Sequence, residues 1–162
     1  MQKIMPCLWF DNQAEQAVNF YTALFKDSKI LNVTRYDDAS AQASGMAAGT
    51  VMTVTFQIEG QDFMALNGGP AFKFTEAVSF IVNCETQAEV DRLWDALTAN
   101  GGAEVECGWL KDQFGLSWQI TPTALEELMT RGTPAQAQSV MKAMLQMKKL
   151  DVAKLQQAYD QA

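Results

Sequence analysis

Two stretches decide the fold: Asn12-Gln13-Ala14-Glu15 followed by Tyr21-Thr22-Ala23-Leu24, and Thr86-Gln87-Ala88-Glu89 followed by Trp94-Asp95-Ala96-Leu97. The second pair repeats the first after one gap. Such self-similarity at long range marks a duplicated supersecondary unit. Each copy opens a helix: Asn12 and Thr86 stand where an N-cap belongs, with Glu15 and Glu89 three residues on, as a capping box requires. Apolar stripes follow at helical spacing, Ala14, Ala17, Val18, Tyr21, Leu24 and Phe25 in one copy and Val90, Leu93, Trp94 and Leu97 in the other.

Strands flank both helices. Residues 3–10 and 77–83 are apolar runs ahead of them, and 28–36 follows the first helix. Val51 to Ile58 alternates along its length, turns at Glu59-Gly60-Gln61-Asp62 and returns as Phe63 to Asn67. Residues 37–49, rich in Ala, Ser, Gly and Asp, read as a mobile loop. In the second copy a short strand near 104–106 leads into Gly108–Asp112 and Leu116–Thr121, a hairpin around Gln113-Phe114-Gly115 closed by Pro122. Each copy is therefore strand, helix, then three strands.

A four-stranded sheet covered by one helix leaves its other face open. The fold class that follows is α+β: paired βαβββ repeats forming two curved sheets around a cleft, with a helical C-terminal tail. Residues 1–70 are the first module, 71–122 the second, and 123–162 a helical extension, all within one structural domain. Thr133-Pro134 and Asp151 start helices in that extension, which is expected to wrap the sheets or a second subunit.

The charge balance bounds the partners. The 162 residues carry 12 Lys and Arg against 19 Asp and Glu, a net charge of −7. An acidic chain lacks the basic footprint that nucleic acid or an anionic membrane surface needs. No apolar run nears the roughly 18 residues of a spanning helix, and the first residues lack a signal peptide's apolar core, so a cytoplasmic location is expected. Cys7, Cys84 and Cys107 are odd in number and far apart, which fits reduced thiols. The absence of histidine removes the imidazole base and the commonest transition-metal ligand. Catalysis would have to come from carboxylates, Lys, Cys, Tyr or a bound cofactor.

Period two assigns faces. Met5, Cys7 and Trp9 share one, as do Ala77, Ser79 and Ile81. If the intervening residues pack on the helices, the candidate ligand-binding residues are Cys7, Trp9, Phe63, Asn67, Ser79, Trp109, Trp118 and Gln119, an apolar surface with few polar groups, as small-molecule sites tend to be. The alternative is a closed core filled by the same side chains. Lys111-Asp112 could be an acid–base pair, but neighbours on a strand point to opposite faces, so a turn-anchoring Asp112 and a solvated Lys111 are preferred. Cys7 as a nucleophile has no cationic neighbour in sequence to lower its pKa. Glu76 is a candidate general base.

The paired repeat, with Leu8-Trp9-Phe10, Asn19-Phe20-Tyr21, Ala65-Leu66-Asn67-Gly68-Gly69, Cys107-Gly108-Trp109-Leu110-Lys111-Asp112 and Ser117-Trp118-Gln119, resembles the PhnB-like branch of the vicinal oxygen chelate superfamily, which includes glyoxalase I, extradiol dioxygenases and bleomycin-resistance proteins. The resemblance covers essentially the whole chain. It implies a homodimer that binds its ligand in the sheet cavity. It also implies, in the superfamily's enzymes, a divalent metal on four side chains, two per repeat. Those positions fall near Met5, at Ala65 or Asn67, at Ala77 and at Gln119. Amides alone do not hold such a cation against water, so no metal and no cofactor are expected. Members of this branch also carry the label of 3-demethylubiquinone-9 3-methyltransferases. Methyl transfer from S-adenosylmethionine usually rests on a doubly wound domain with a glycine-rich turn after its first strand, and Gly68-Gly69 and Gly101-Gly102 do not follow that pattern. The function expected is metal-independent binding of an apolar or aromatic small molecule, with an enzyme of the same superfamily as the alternative.

Overall fold

The computed structural model of the chain describes residues 2–162. The elements run β1 (Cys7–Phe10), α1 (Ala14–Leu24), β2 (Ser28–Arg35), α2 (Asp38–Ser44), β3 (Val51–Ile58), β4 (Gln61–Asn67), β5 (Ser79–Cys84), α3 (Gln87–Thr98), β6 (Ala103–Glu104), β7 (Trp109–Lys111), β8 (Ser117–Pro122), α4 (Thr123–Arg131), α5 (Pro134–Met144) and α6 (Val152–Asp160). They form two compact units, Met1–Phe74 and Thr75–Ala162, with the three last helices in the second.

The duplication is visible in the sheets. One has the order β1-β4-β3-β2 and the other β5-β8-β7-β6, so each strand of the first has its counterpart at the same place in the second. In each, the first and last strands of the repeat run parallel and the remaining pairs antiparallel. Neither sheet closes into a barrel.

In the first unit α1 covers the face bearing Leu8, Phe10, Val54, Phe56 and Ala65, all buried, and contributes buried Ala14, Ala17, Val18 and Tyr21. The expected cap at Asn12 does not form. The N-cap is Gln13 and makes no side-chain bond. Instead the Ala14 amide donates to Asn67 Oδ1 at 2.8 Å, so a strand residue 53 positions away does what a local cap would do. The reason is burial: this helix end sits against the sheet, where its free N–H groups need a protein acceptor.

The stretch read as a mobile loop contains α2. Asp37 accepts from the Ser40 amide and Ser40 Oγ accepts from the Asp37 amide, a reciprocal cap. Ala39, Ala41 and Ala43 supply helix propensity, and Gly45, at φ 75°, ends the helix in the left-handed region.

In the second unit Thr86 caps α3 as its sequence predicts, its hydroxyl accepting from the Glu89 amide at 3.2 Å. The Glu89 carboxylate accepts from the Glu85 amide rather than from the cap residue. Val90, Leu93, Trp94 and Leu97 pack against Leu110, Trp118 and Ile120 of the sheet. The Trp94 indole N–H donates to Glu104 Oε1 at 3.0 Å, fixing the short edge strand to the helix.

The terminal helices have their own small core of Leu128, Val140 and Leu155. Backbone bonds tie this layer to the hairpin: Cys107 N–H donates to the Met147 carbonyl and Gly108 N–H to that of Lys148, both at 2.7 Å. Gly108, at φ 83°, has Leu150 Cδ1 only 3.0 Å from where a Cβ would sit, so a side chain there would be strained and crowded.

Candidate functional site

Strand alternation sorts the eight candidate residues by face. Cys7 and Trp9 lie on the helix-free face of the first sheet, beside Met64 and Leu66. Ser79, Trp109 and Gln119 lie on the helix-free face of the second, in two adjacent rows. Phe63, Asn67 and Trp118 lie on the faces that α1 and α3 cover, and all three are buried. The structure therefore does not bring them together with Cys7, Trp9, Ser79, Trp109 and Gln119, and the cause is the period of two: a face holding Gln119 cannot also hold Trp118.

Each of the three has a packing role. Phe63 stacks on Phe56 with ring centres 5.4 Å apart. Asn67 caps α1, donates from Nδ2 to the Val51 carbonyl at 3.1 Å, and its own carbonyl accepts from the Tyr36 hydroxyl. Trp118 packs on Phe80, with centres 5.6 Å apart, and donates to Asp112 Oδ2 at 2.9 Å. Asp112 also accepts from the Phe114 and Leu116 amides, which makes it the anchor of the hairpin turn.

Trp9 is partly buried, and its indole N–H donates to the Gly69 carbonyl at 2.8 Å. Phe72 meets the ring edge-on at 4.9 Å. A Cβ on Gly68 would come within 2.3 Å of the indole, so Gly68 is glycine because Trp9 lies over it. Cys7 is exposed on the same face. Partial burial pushes its thiol pKa up rather than down, the opposite of what a nucleophile at neutral pH requires.

The helix-free face of the second sheet carries a polar group. Gln119 Nε2 donates to Ser79 Oγ at 2.9 Å, and Trp109 is Gln119's neighbour across the ladder. One row along, Ser79, Ser117 and Lys111 line up across β5, β8 and β7. Lys111 Nζ makes an ion pair with Glu76, in the turn before β5. That bond is the main reason the Glu76 carboxyl is held below its usual range. Lys111 and Asp112 point to opposite faces, so they form no pair; the partner of Lys111 is Glu76, 35 positions earlier. Only the register between β7 and β8, and between β8 and β5, brings them together.

A divalent metal does not fit the residues at the four implied positions. Met5 and Ala77 offer no hard donor, Ala65 is buried on the helix side, Asn67 is committed to α1, and Gln119 contributes a neutral amide. Among the described residues no three His, Cys, Asp or Glu side chains are placed to hold an ion. A groove of about 370 Å³ lies within the first unit, lined among others by Asn12, Glu15, Arg35, Thr50 and Asn67. Its Asn67 lies on the α1 side of the sheet, apart from Cys7 and Trp9. No described helix is long and apolar enough to cross a membrane.

Comparison with known proteins adds family and fold. The profile of the family described as 3-demethylubiquinone-9 3-methyltransferase matches residues 2–121. The solved PhnB protein from Bacillus cereus is 38% identical, with a TM-score of 0.67, over 75% of this chain and 100% of that one. A Pseudomonas aeruginosa protein at 20% identity and TM-score 0.59 matches 75% of this chain and 98% of its own. The fosfomycin resistance protein FosX from Listeria monocytogenes, at 12% identity and TM-score 0.51, matches 78% and 97%. These last two show the fold alone. No curated protein matches the sequence.

Proposed function

Because the chain belongs to the 3-demethylubiquinone-9 3-methyltransferase family, the PhnB-like branch of the vicinal oxygen chelate superfamily, we propose that it binds an apolar or aromatic small molecule on its helix-free sheet faces, without a metal. The observation that carries this reading is the helix-free face of the second sheet. There Trp109 stands next to the Gln119–Ser79 bond, with Ile81, 58% exposed, completing the row. An aromatic platform with one or two oriented polar groups is the usual make-up of a small-molecule site. Cys7 and Trp9 extend the same kind of surface on the first sheet.

Metal independence rests on the donor chemistry: two aliphatic positions, a thioether and amides cannot compete with water for a divalent ion. Methyl transfer, which the family's description names, is the other reading. The mixed four-stranded sheets do not offer the doubly wound nucleotide crevice that such transfer usually uses.

Thermal unfolding separates these readings. The probes are 2-naphthamide as a neutral aromatic, manganese chloride as the metal, and S-adenosylmethionine. A probe at 100 times its Kd adds about 2.7 kcal/mol, which for a chain of this size raises the melting temperature by roughly 5–10 °C. The shift is expected with 2-naphthamide and is expected to shrink in Trp109→Ala. A shift with manganese or with S-adenosylmethionine alone would refute the binding-protein reading. A cytoplasmic homodimer completes the proposal. Met141 and Leu145 are exposed on and just after α5, and deletion of the residues after Pro134 is expected to weaken association in sedimentation.

A further inference from the structure

We propose that Lys111 anchors a small oxyanion, a carboxylate or phosphate carried by the ligand, and that Glu76 occupies that place as an internal carboxylate until the ligand displaces it. The inference rests on the reading that the helix-free face of the second sheet binds a ligand, and it names the chemistry of that ligand: an aromatic or apolar body bearing one acidic group.

Three observations carry it. The first is the row Ser79, Ser117, Lys111, fixed by the registers of β5 with β8 and of β8 with β7. It places two hydroxyls and one ammonium side by side on the helix-free face. The second is Ser117, 1% exposed, whose Oγ has no hydrogen-bond partner. Buried hydroxyls nearly always have one, and an orphan of this kind calls for a missing acceptor or donor. Ser79 Oγ receives the Gln119 amide, which leaves the Ser79 hydroxyl proton to give to an acceptor as well. The row therefore offers donors to an anion.

The third observation is how Lys111 is neutralised. Its partner Glu76 lies in a turn outside the ladder, with 58% of its side chain exposed against 37% for Lys111. A pair this exposed is held weakly, and Glu76 can swing out without breaking a strand bond. Glu76 nonetheless has the advantage of being tethered, so a free anion displaces it only if other contacts hold the ligand. Trp109 supplies these: it is two residues from Lys111 on the same face, roughly 7 Å along the strand. The geometry thus selects an aromatic group and an acid about that far apart.

The test compares 2-naphthoate, 2-naphthyl phosphate and the uncharged 2-naphthamide by calorimetric titration of the full chain, its E76Q variant and its K111M variant. The expected result is a preference of at least about fivefold for an acid over the amide in the parent. E76Q should raise acid affinity by roughly twofold to fivefold and leave the amide unchanged. K111M should bring acids and amide to equal affinity. The two acids compared with each other tell carboxylate from phosphate recognition. Glu76 is exposed and Lys111 half-buried, and matching circular dichroism spectra confirm that the variants fold. If acids and amide bind equally to all three proteins, the oxyanion anchor is overturned while the binding face stands. If none of the probes binds any of the proteins, the binding face itself falls and the anchor with it.

Discussion

Asn67 shows how a side chain that reads in the sequence as a polar pocket contact can also carry a structural bond. An amide at the end of a strand that continues into Gly68-Gly69 is an attractive polar contact for a pocket. Its register with Phe10 turns it instead toward α1, where it bonds the Ala14 amide and the Val51 carbonyl. Asn67→Ala would leave both groups buried and unpaired, and should lower stability by roughly 2–3 kcal/mol in urea unfolding. A variant as stable as the parent would show that the cap does not matter. Cys84 is the other residue whose surroundings decide its chemistry. Burial, with Glu89 nearby, pushes its pKa from 9.0 to about 12. At pH 8 it therefore holds roughly a thousandfold less thiolate than an ordinary cysteine. Iodoacetamide should modify it in the native chain far more slowly than in urea, and equal rates would contradict its burial.

At the scale of elements, what was legible is what local chemistry dictates. The duplicated helices, the alternation of Val51 to Ile58, the Thr86 cap and the hairpin anchored by Asp112 all follow from residues within a few positions of each other. What was not legible depends on partners far along the chain: the cap of α1 from Asn67, and the Lys111–Glu76 pair. Phe63 and Trp118 fall on the helix-covered faces because strand alternation sets them on the face opposite to Met64 and Gln119. Helix α2 is not legible from periodicity, because an Ala-, Ser- and Gly-rich run lacks an apolar period; its only local signal is the Asp37–Ser40 capping spacing. The tail makes a testable claim here. Lys149 bridges to Asp91 at 3.1 Å and Asp95 at 3.5 Å on α3. The Gln87 amide and the Lys149 ammonium, in that order, hold the Asp91 pKa below its ordinary value. A lowered carboxylate pKa means the contribution is present at neutral pH, above the unfolded-state value, and is lost as pH falls through the folded value. Hydrogen exchange of α6 amides, after correction for intrinsic rates, should therefore quicken as pH drops below about 4. Protection that stays constant to pH 2 would place the tail's docking elsewhere, in Leu150 and the backbone bonds of Cys107 and Gly108.

At the scale of the molecule, one design is used twice. A helix seals one face of each four-stranded sheet with apolar side chains, and the other face is left with tryptophan, hydroxyls and amides. The family match ends at residue 121, at the end of the second sheet, so the terminal helices stand outside the matched region. The four positions that the superfamily resemblance implies for a metal carry Met5, Ala65 or Asn67, Ala77 and Gln119, a donor set that does not suit a divalent ion. The proposed recognition therefore rests on the aromatic and polar surface. The most direct test is calorimetric titration of 2-naphthoate into the full chain after dialysis against EDTA, repeated with manganese chloride restored. Equal affinity in the two titrations is the predicted result. Binding that vanishes with EDTA and returns with manganese would contradict it.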